Sequence, residues 1–161
     1  MARLTRKFFL YLLVKLAIMK KLPVLLFLLA LLASGCVSQS SSGEIDESQT
    51  KAVLDHHWET FLANDLDGVM EDYVEESILI TPNGTFRGLD EIRENFTNAF
   101  RAFPSQEARL TLNQSLAVAD VGYIVWEAET PEFVLSYGTD TFIIRNGKII
   151  RQTFGGVRAE K

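Results

Sequence analysis

Residues 61–96, "FLANDLDGVMEDYVEESILITPNGTFRGLDEIRENF", change their hydrophobic period twice, and those changes decide the fold. "NDLDG" (64–68) interrupts a helical pattern, and Asp65 is placed to cap a second helix whose inner face reads Leu66, Val69, Met70, Tyr73 and Val74. At "SILIT" (77–81) the period drops to that of a strand. "PNG" (82–84) supplies a turn and "TFRG" (85–88) a return, which together predict a small hairpin. Helical spacing then resumes from Leu89 to Phe103, with Leu89, Ile92, Phe96, Ala99, Phe100 and Phe103 on one side and Pro104 as the stop.

Upstream, Val53, Leu54, Trp58, Phe61 and Leu62 recur at helical spacing, predicting a helix from about Gln49 to Ala63. Both histidines of the chain lie in it. His57 falls inside the apolar stripe between Val53 and Phe61, whereas His56 is turned about 100° away toward solvent. Downstream, "ARLTLNQSLAVAD", "VGYIVWEAET", "FVLSYGTDTFIIR" and "KIIRQTF" are four long strand candidates, the last two joined by the hairpin dipeptide Asn146-Gly147. Helix, helix, hairpin, helix and then four antiparallel strands imply an α+β domain with helices on one face of a curved sheet.

The 161 residues carry 16 basic and 21 acidic side chains, and the two signs are segregated. Six basic residues and no acidic one precede Cys36, leaving ten basic against twenty-one acidic side chains beyond it. Such an acidic body argues against a nucleic-acid partner, since phosphate binding needs a basic surface. Met19-Lys20-Lys21, the apolar run "LPVLLFLLALLAS" and the small residues before Cys36 read as a secretory signal that is complete from Met19. A spanning anchor is the competing reading, disfavoured by the mid-span charges Lys15, Lys20 and Lys21. The Ser-rich stretch "VSQSSSGEIDES" (37–48) reads as a tether. The chain therefore divides into a signal segment (1–36), the tether (37–48), a folded domain (49–158) and a short tail (159–161). With a single cysteine, the monomer has no internal disulfide.

"ASGC" at 33–36 resembles the lipobox of prokaryotic lipoproteins. The resemblance implies cleavage before Cys36, a lipid on its sulfur and an extracytoplasmic, membrane-anchored protein at the cell surface or in the periplasm. The quoted 61–96 stretch, together with "YGTDTFIIRNGKIIRQ" (137–152), resembles the SnoaL-like and ketosteroid-isomerase-like branch of the NTF2-like superfamily over residues 49–158. That resemblance implies a cone: a strongly bent antiparallel sheet wrapped over three N-terminal helices, with a pocket at the open end and frequent homodimers. It puts His57 where the isomerases carry an oxyanion-donating tyrosine, and Asp140 where they carry a buried neutral aspartic acid. Thr81 stands where their general base belongs, and a threonine cannot take a proton from carbon, which excludes the isomerase mechanism as such.

Two readings of His57 follow: an acid–base pair with Asp140, suited to isomerase, dehydratase or cyclase chemistry, or a buried polar pair that serves stability alone. Unbroken alternation would place Asp140 on one face with Val134, Phe142 and Ile144, an assignment that a bulge would change. Trp58, Tyr73, Tyr123, Trp126 and Tyr137 are the aromatic candidates for a ligand pocket. Arg145, Lys148 and Arg151 read as solvated charges. No metal is expected, since adjacent histidines cannot face one ion from a helix and no HExxH spacing exists; no cofactor-binding glycine loop opens a helix either. Asn83, Asn95 and Asn113 stand in glycosylation triplets. The expected function is a membrane-tethered module that binds a small apolar ligand or a protein partner without catalysis, with the His57–Asp140 enzyme as the alternative.

Overall fold

Residues 45–161 are described by the computed structural model, so the expectations for the signal segment, Met19, Cys36 and most of the tether lie outside the described residues. The element order is α1 (Glu47–Ala63), α2 (Leu66–Glu71), β1 (Tyr73–Thr81), β2 (Gly84–Arg87), α3 (Gly88–Ala102), β3 (Arg109–Val118), β4 (Val121–Glu129), β5 (Phe133–Arg145) and β6 (Lys148–Glu160). Helix α1 starts inside the expected tether because the Asp46 carboxylate accepts from the backbone N–H groups of Ser48 and Gln49. It ends at Asn64, whose left-handed φ of 55° turns the chain back. Asp65 caps α2 by accepting from the Gly68 N–H, as expected.

Helix α2 is shorter than its apolar spacing predicts. Tyr73 and Val74 open β1 instead of closing the helix. Both are strand formers, and pairing Tyr73 with Ile149 of β6 outweighs one further helical turn. The hairpin β1–β2 pairs Thr81 with Gly84, as the "PNG" turn requires. At the far end Asn146 and Gly147 take φ values of 53° and 70°, the two positive dihedrals of a type I′ turn.

The six strands form one sheet in the order β2-β1-β6-β5-β4-β3. Every pairing is antiparallel except β1 with β6, so the sheet is mixed where four consecutive antiparallel strands leave no hint of the seam. Helix α1 lies against β3 and β4, and α3 against β1 and β2, which closes the sheet over the helices as the expected cone. The fully buried side chains Leu54, Val69, Leu79, Ile92, Phe142 and Ile149 make the core between them. An extra residue in β5 between Leu135 and Gly138 shifts its register against both β4 and β6 and bends the sheet. Among the described residues no helix is long and apolar enough to cross a membrane.

Candidate functional site

The inner face of the bent sheet and the helices enclose a cavity of about 380 Å³. Its wall is mainly aromatic: Trp58 and Phe61 from α1, Phe96 from α3, Phe103 just beyond it, and Trp126, Phe133 and Phe154 from the sheet. Two buried ionisable groups, His57 and Asp140, also line it, and Arg158 lines it from a half-exposed position.

His57 is buried within the apolar stripe of α1, with the edges of Tyr73, Phe96 and Phe142 packed at ring-centroid distances of 5.7, 5.6 and 5.2 Å. Its Nδ1 lies 3.2 Å from Oδ2 of Asp72, so its hydrogen-bond partner is Asp72 and not Asp140. Asp72 is itself buried at the end of α2, and its other oxygen, Oδ1, lies 2.8 Å from Nδ1 of His56. His56 is therefore less free than its flank position suggests: its side chain is 42% exposed, yet its ring is tied inward. An ionised carboxylate only accepts, so each ring presents an Nδ1–H to it and the Nε2 of His57 is the nitrogen left for the cavity.

Asp140 is held by different partners. Trp126 Nε1 donates to Oδ2 at 2.9 Å, and Gln152 Nε2 donates to Oδ1 at 2.9 Å. The Gln152 amide is oriented in turn by the Tyr73 hydroxyl, which donates to its oxygen. Burial lifts the Asp140 carboxyl above the usual range, against the opposing pull of the Trp126 and Gln152 donors and of His57. The Tyr73 phenol is pushed well above its ordinary value, first by burial and then by the nearby charges of Asp140 and Asp72. The face assignment of Asp140 holds with Phe142 and Ile144, but the bulge at Leu135–Tyr137 breaks the alternation and turns Val134 off that face.

The aromatic candidates separate. Trp58 and Trp126 line the cavity, with ring centroids 5.9 Å apart. Tyr73 lies behind the floor, acting through Gln152. Tyr123 and Tyr137 stand on the other side of the sheet, where their hydroxyls meet at 3.3 Å in solvent, because the outward register of β4 carries Tyr123 and the β5 bulge carries Tyr137. Thr81 sits at the rim and spends its hydroxyl on the hairpin turn, accepting from the Asn83 N–H. Arg145 and Arg151 are exposed, as expected, while Lys148 is half-buried; they bind Asp120 or backbone carbonyls. Asp72, Gln152 and Arg158 are site residues the sequence reading did not select; for Asp72 the available signal is an acidic residue beside the apolar positions Met70, Tyr73 and Val74. Among the described residues no group of three or more His, Cys, Asp or Glu side chains is placed to hold a metal ion.

A SnoaL-like domain model matches residues 54–152, more than half of the chain. Solved structures share the fold at low identity. One, from Kribbella flavida and described as a candidate ketosteroid isomerase, has a TM-score of 0.59 at 15% identity, covering 71% of this chain and 82% of its own. A second, from Sinorhizobium meliloti and described as a candidate polyketide cyclase, has a TM-score of 0.58 at 15% identity, covering 68% and 99%. A third, TerC co-crystallised with polyporic acid, has a TM-score of 0.58 at 15% identity, covering 68% and 92%. Comparison with curated proteins gave no match. The cone, its apolar cavity and the residue pattern from Leu54 to Gln152 agree: this chain belongs to the SnoaL-like domain family.

Proposed function

We propose that this protein is a lipid-tethered, extracytoplasmic binding module whose cone holds a small apolar ligand. The observation that carries the reading is the aromatic cavity of about 380 Å³ with only a few polar groups converging on it, the usual make-up of a small-molecule site. TerC, a protein of the same fold, was crystallised with polyporic acid. The Nε2 of His57 is the group available to orient an oxygen of the ligand at the floor. The membrane attachment rests on the sequence around Cys36 alone. Mass spectrometry of the protein purified from its native membrane tests both parts: a lipidated Cys36 terminus and a co-purifying small apolar molecule are expected. An intact leader in mature material would overturn the tether, and a cavity that neither retains nor takes up apolar molecules would overturn the binding role.

One observation favours a second reading, acid–base catalysis. A carboxylate on Nδ1 of a cavity-lining imidazole is the arrangement that makes Nε2 a directed base. The base pair is then His57–Asp72, with Asp140 a separate group held by Trp126 and Gln152. The test is deuterium uptake into 2-tetralone, an apolar ketone with acidic C–H bonds, in D₂O. A catalytic site exchanges it on the order of a hundredfold faster than its His57→Gln variant. Equal rates would leave binding alone.

A homodimer is also part of the proposal. The outer sheet face exposes Leu116, Val118, Tyr137 and Val157, an apolar surface of the kind that self-association covers.

A further inference from the structure

Arg158 is the one permanently cationic side chain lining the cavity among the described residues. It lies on β6 opposite Leu135 of β5. Its guanidinium carbon stands 3.9 Å from the centroid of the Phe133 ring, which also lines the cavity. Stacking on that ring fixes the plane of a long side chain that would otherwise sample many rotamers. Since the side chain is 48% exposed while His57 and Asp140 are buried, the guanidinium marks the open end of the cavity and the two buried groups its floor.

From this placement, and resting on the ligand-binding reading above, we infer that the cavity takes an apolar carboxylic acid. Its hydrocarbon or aromatic body lies among Phe61, Phe103, Trp126 and Phe154, and its carboxylate meets Arg158 at the mouth. A guanidinium fork matches a carboxylate in two parallel hydrogen bonds, which a neutral ligand cannot repay. The body of the protein is strongly acidic, so a cation stacked at the entrance is the local feature that admits an anion. Glu160 at present occupies the Arg158 fork in the two-bond manner a ligand carboxylate would use, with Nε donating to Oε1 at 2.8 Å and Nη2 to Oε2 at 3.3 Å; the Arg158 side chain is half-exposed and that of Glu160 largely solvated. Solvent screens this pair between neighbours on one strand, and an incoming carboxylate that also buries an apolar body in the cavity gains burial that Glu160 does not, so it can displace Glu160 from the fork. Glu160 does not itself line the cavity.

The experiment is a calorimetric titration with two probes of nearly one shape, 2-naphthoate and the neutral 2-acetylnaphthalene. The native protein is expected to bind naphthoate about tenfold more tightly. Arg158→Gln is expected to remove that preference by weakening naphthoate about tenfold more than acetylnaphthalene, and Arg158→Lys to retain part of it. Glu160→Gln, which deletes the competing carboxylate, is expected to tighten naphthoate alone. A native preference for the neutral probe, or an equal loss of both probes in Arg158→Gln, would overturn the inference and leave the cavity reading standing. Failure of the native protein to bind either probe would overturn both.

Discussion

Asp72 gives one carboxylate oxygen to each of two neighbouring imidazoles, and this sharing sets the chemistry available at the floor of the cone. An asparagine there has one accepting oxygen and one donating nitrogen. One ring must then meet an NH₂ group, turn its Nδ1 lone pair inward and carry its proton on Nε2. Asp72→Asn is therefore expected to show a second histidine tautomer in ¹⁵N spectra of the ring nitrogens and to lose about 1–3 kcal/mol of stability; two unchanged Nδ1–H rings would contradict the geometry. Asp140 yields a pH prediction of definite sign. In the unfolded chain it ionises near the ordinary 3.8, while burial keeps the folded carboxyl protonated to higher pH. Between those two values the folded state binds more protons, so its stability falls as pH rises. Asp140→Asn cannot ionise, and urea midpoints measured from about pH 4 to about pH 7 should slope less steeply than in the native protein. The inward turn of His57 is legible from helical spacing alone. Its partner is not, because Asp72 reaches it only after the chain has reversed at Asn64 and completed another helix.

At the scale of elements, the legible features are those with local chemistry: the Asp65 cap, the hairpin after Thr81, and the Asn146-Gly147 turn. The misread ones depend on partners elsewhere. Tyr73 and Val74 fit a helical stripe and a strand equally well, and pairing with β6 decides between them. The bulge in β5 likewise leaves no mark in the alternation of apolar residues, yet it separates Val134 from the Asp140 face. Just past that bulge lies Gly138, whose missing side chain lets the Trp126 ring close on the strand. A Cβ there would stand 2.9 Å from the indole and 2.8 Å from Leu135. Gly138→Ala should displace Trp126, weaken its bond to Asp140 and shift the tryptophan emission spectrum, with a stability loss of about 1–3 kcal/mol. An unaltered spectrum and melting temperature would show that the contact is loose. Phe142, with no exposed surface beside His57, is expected to cost about 3–5 kcal/mol when cut to alanine, measured by urea unfolding.

For the whole molecule, the sequence discloses a closed aromatic interior and an acidic exterior but not which face each tyrosine takes. Tyr123 lies outside with the odd positions of β4, and Tyr137 because the β5 bulge turns the odd positions beyond Leu135 toward water. Tyr137 and Val157 are paired neighbours in the exposed apolar patch of β5 and β6. If that patch joins two copies, Val157→Asp should halve the mass seen by sedimentation at micromolar concentration without altering the cavity; a native monomer under those conditions would exclude the dimer.

The lone parallel seam of the sheet also has a temporal meaning. The strands from β3 to β6 join their neighbours through short reversals, whereas the Tyr73 hydroxyl reaches Gln152 across 79 positions of chain. Contacts of such long span carry the largest closure entropy, so refolding should zip the successive hairpins first and dock the amino-terminal strand last. Competence to hold a guest would then return only in the slowest kinetic phase, since the prop beneath Asp140 is among the final pieces to arrive.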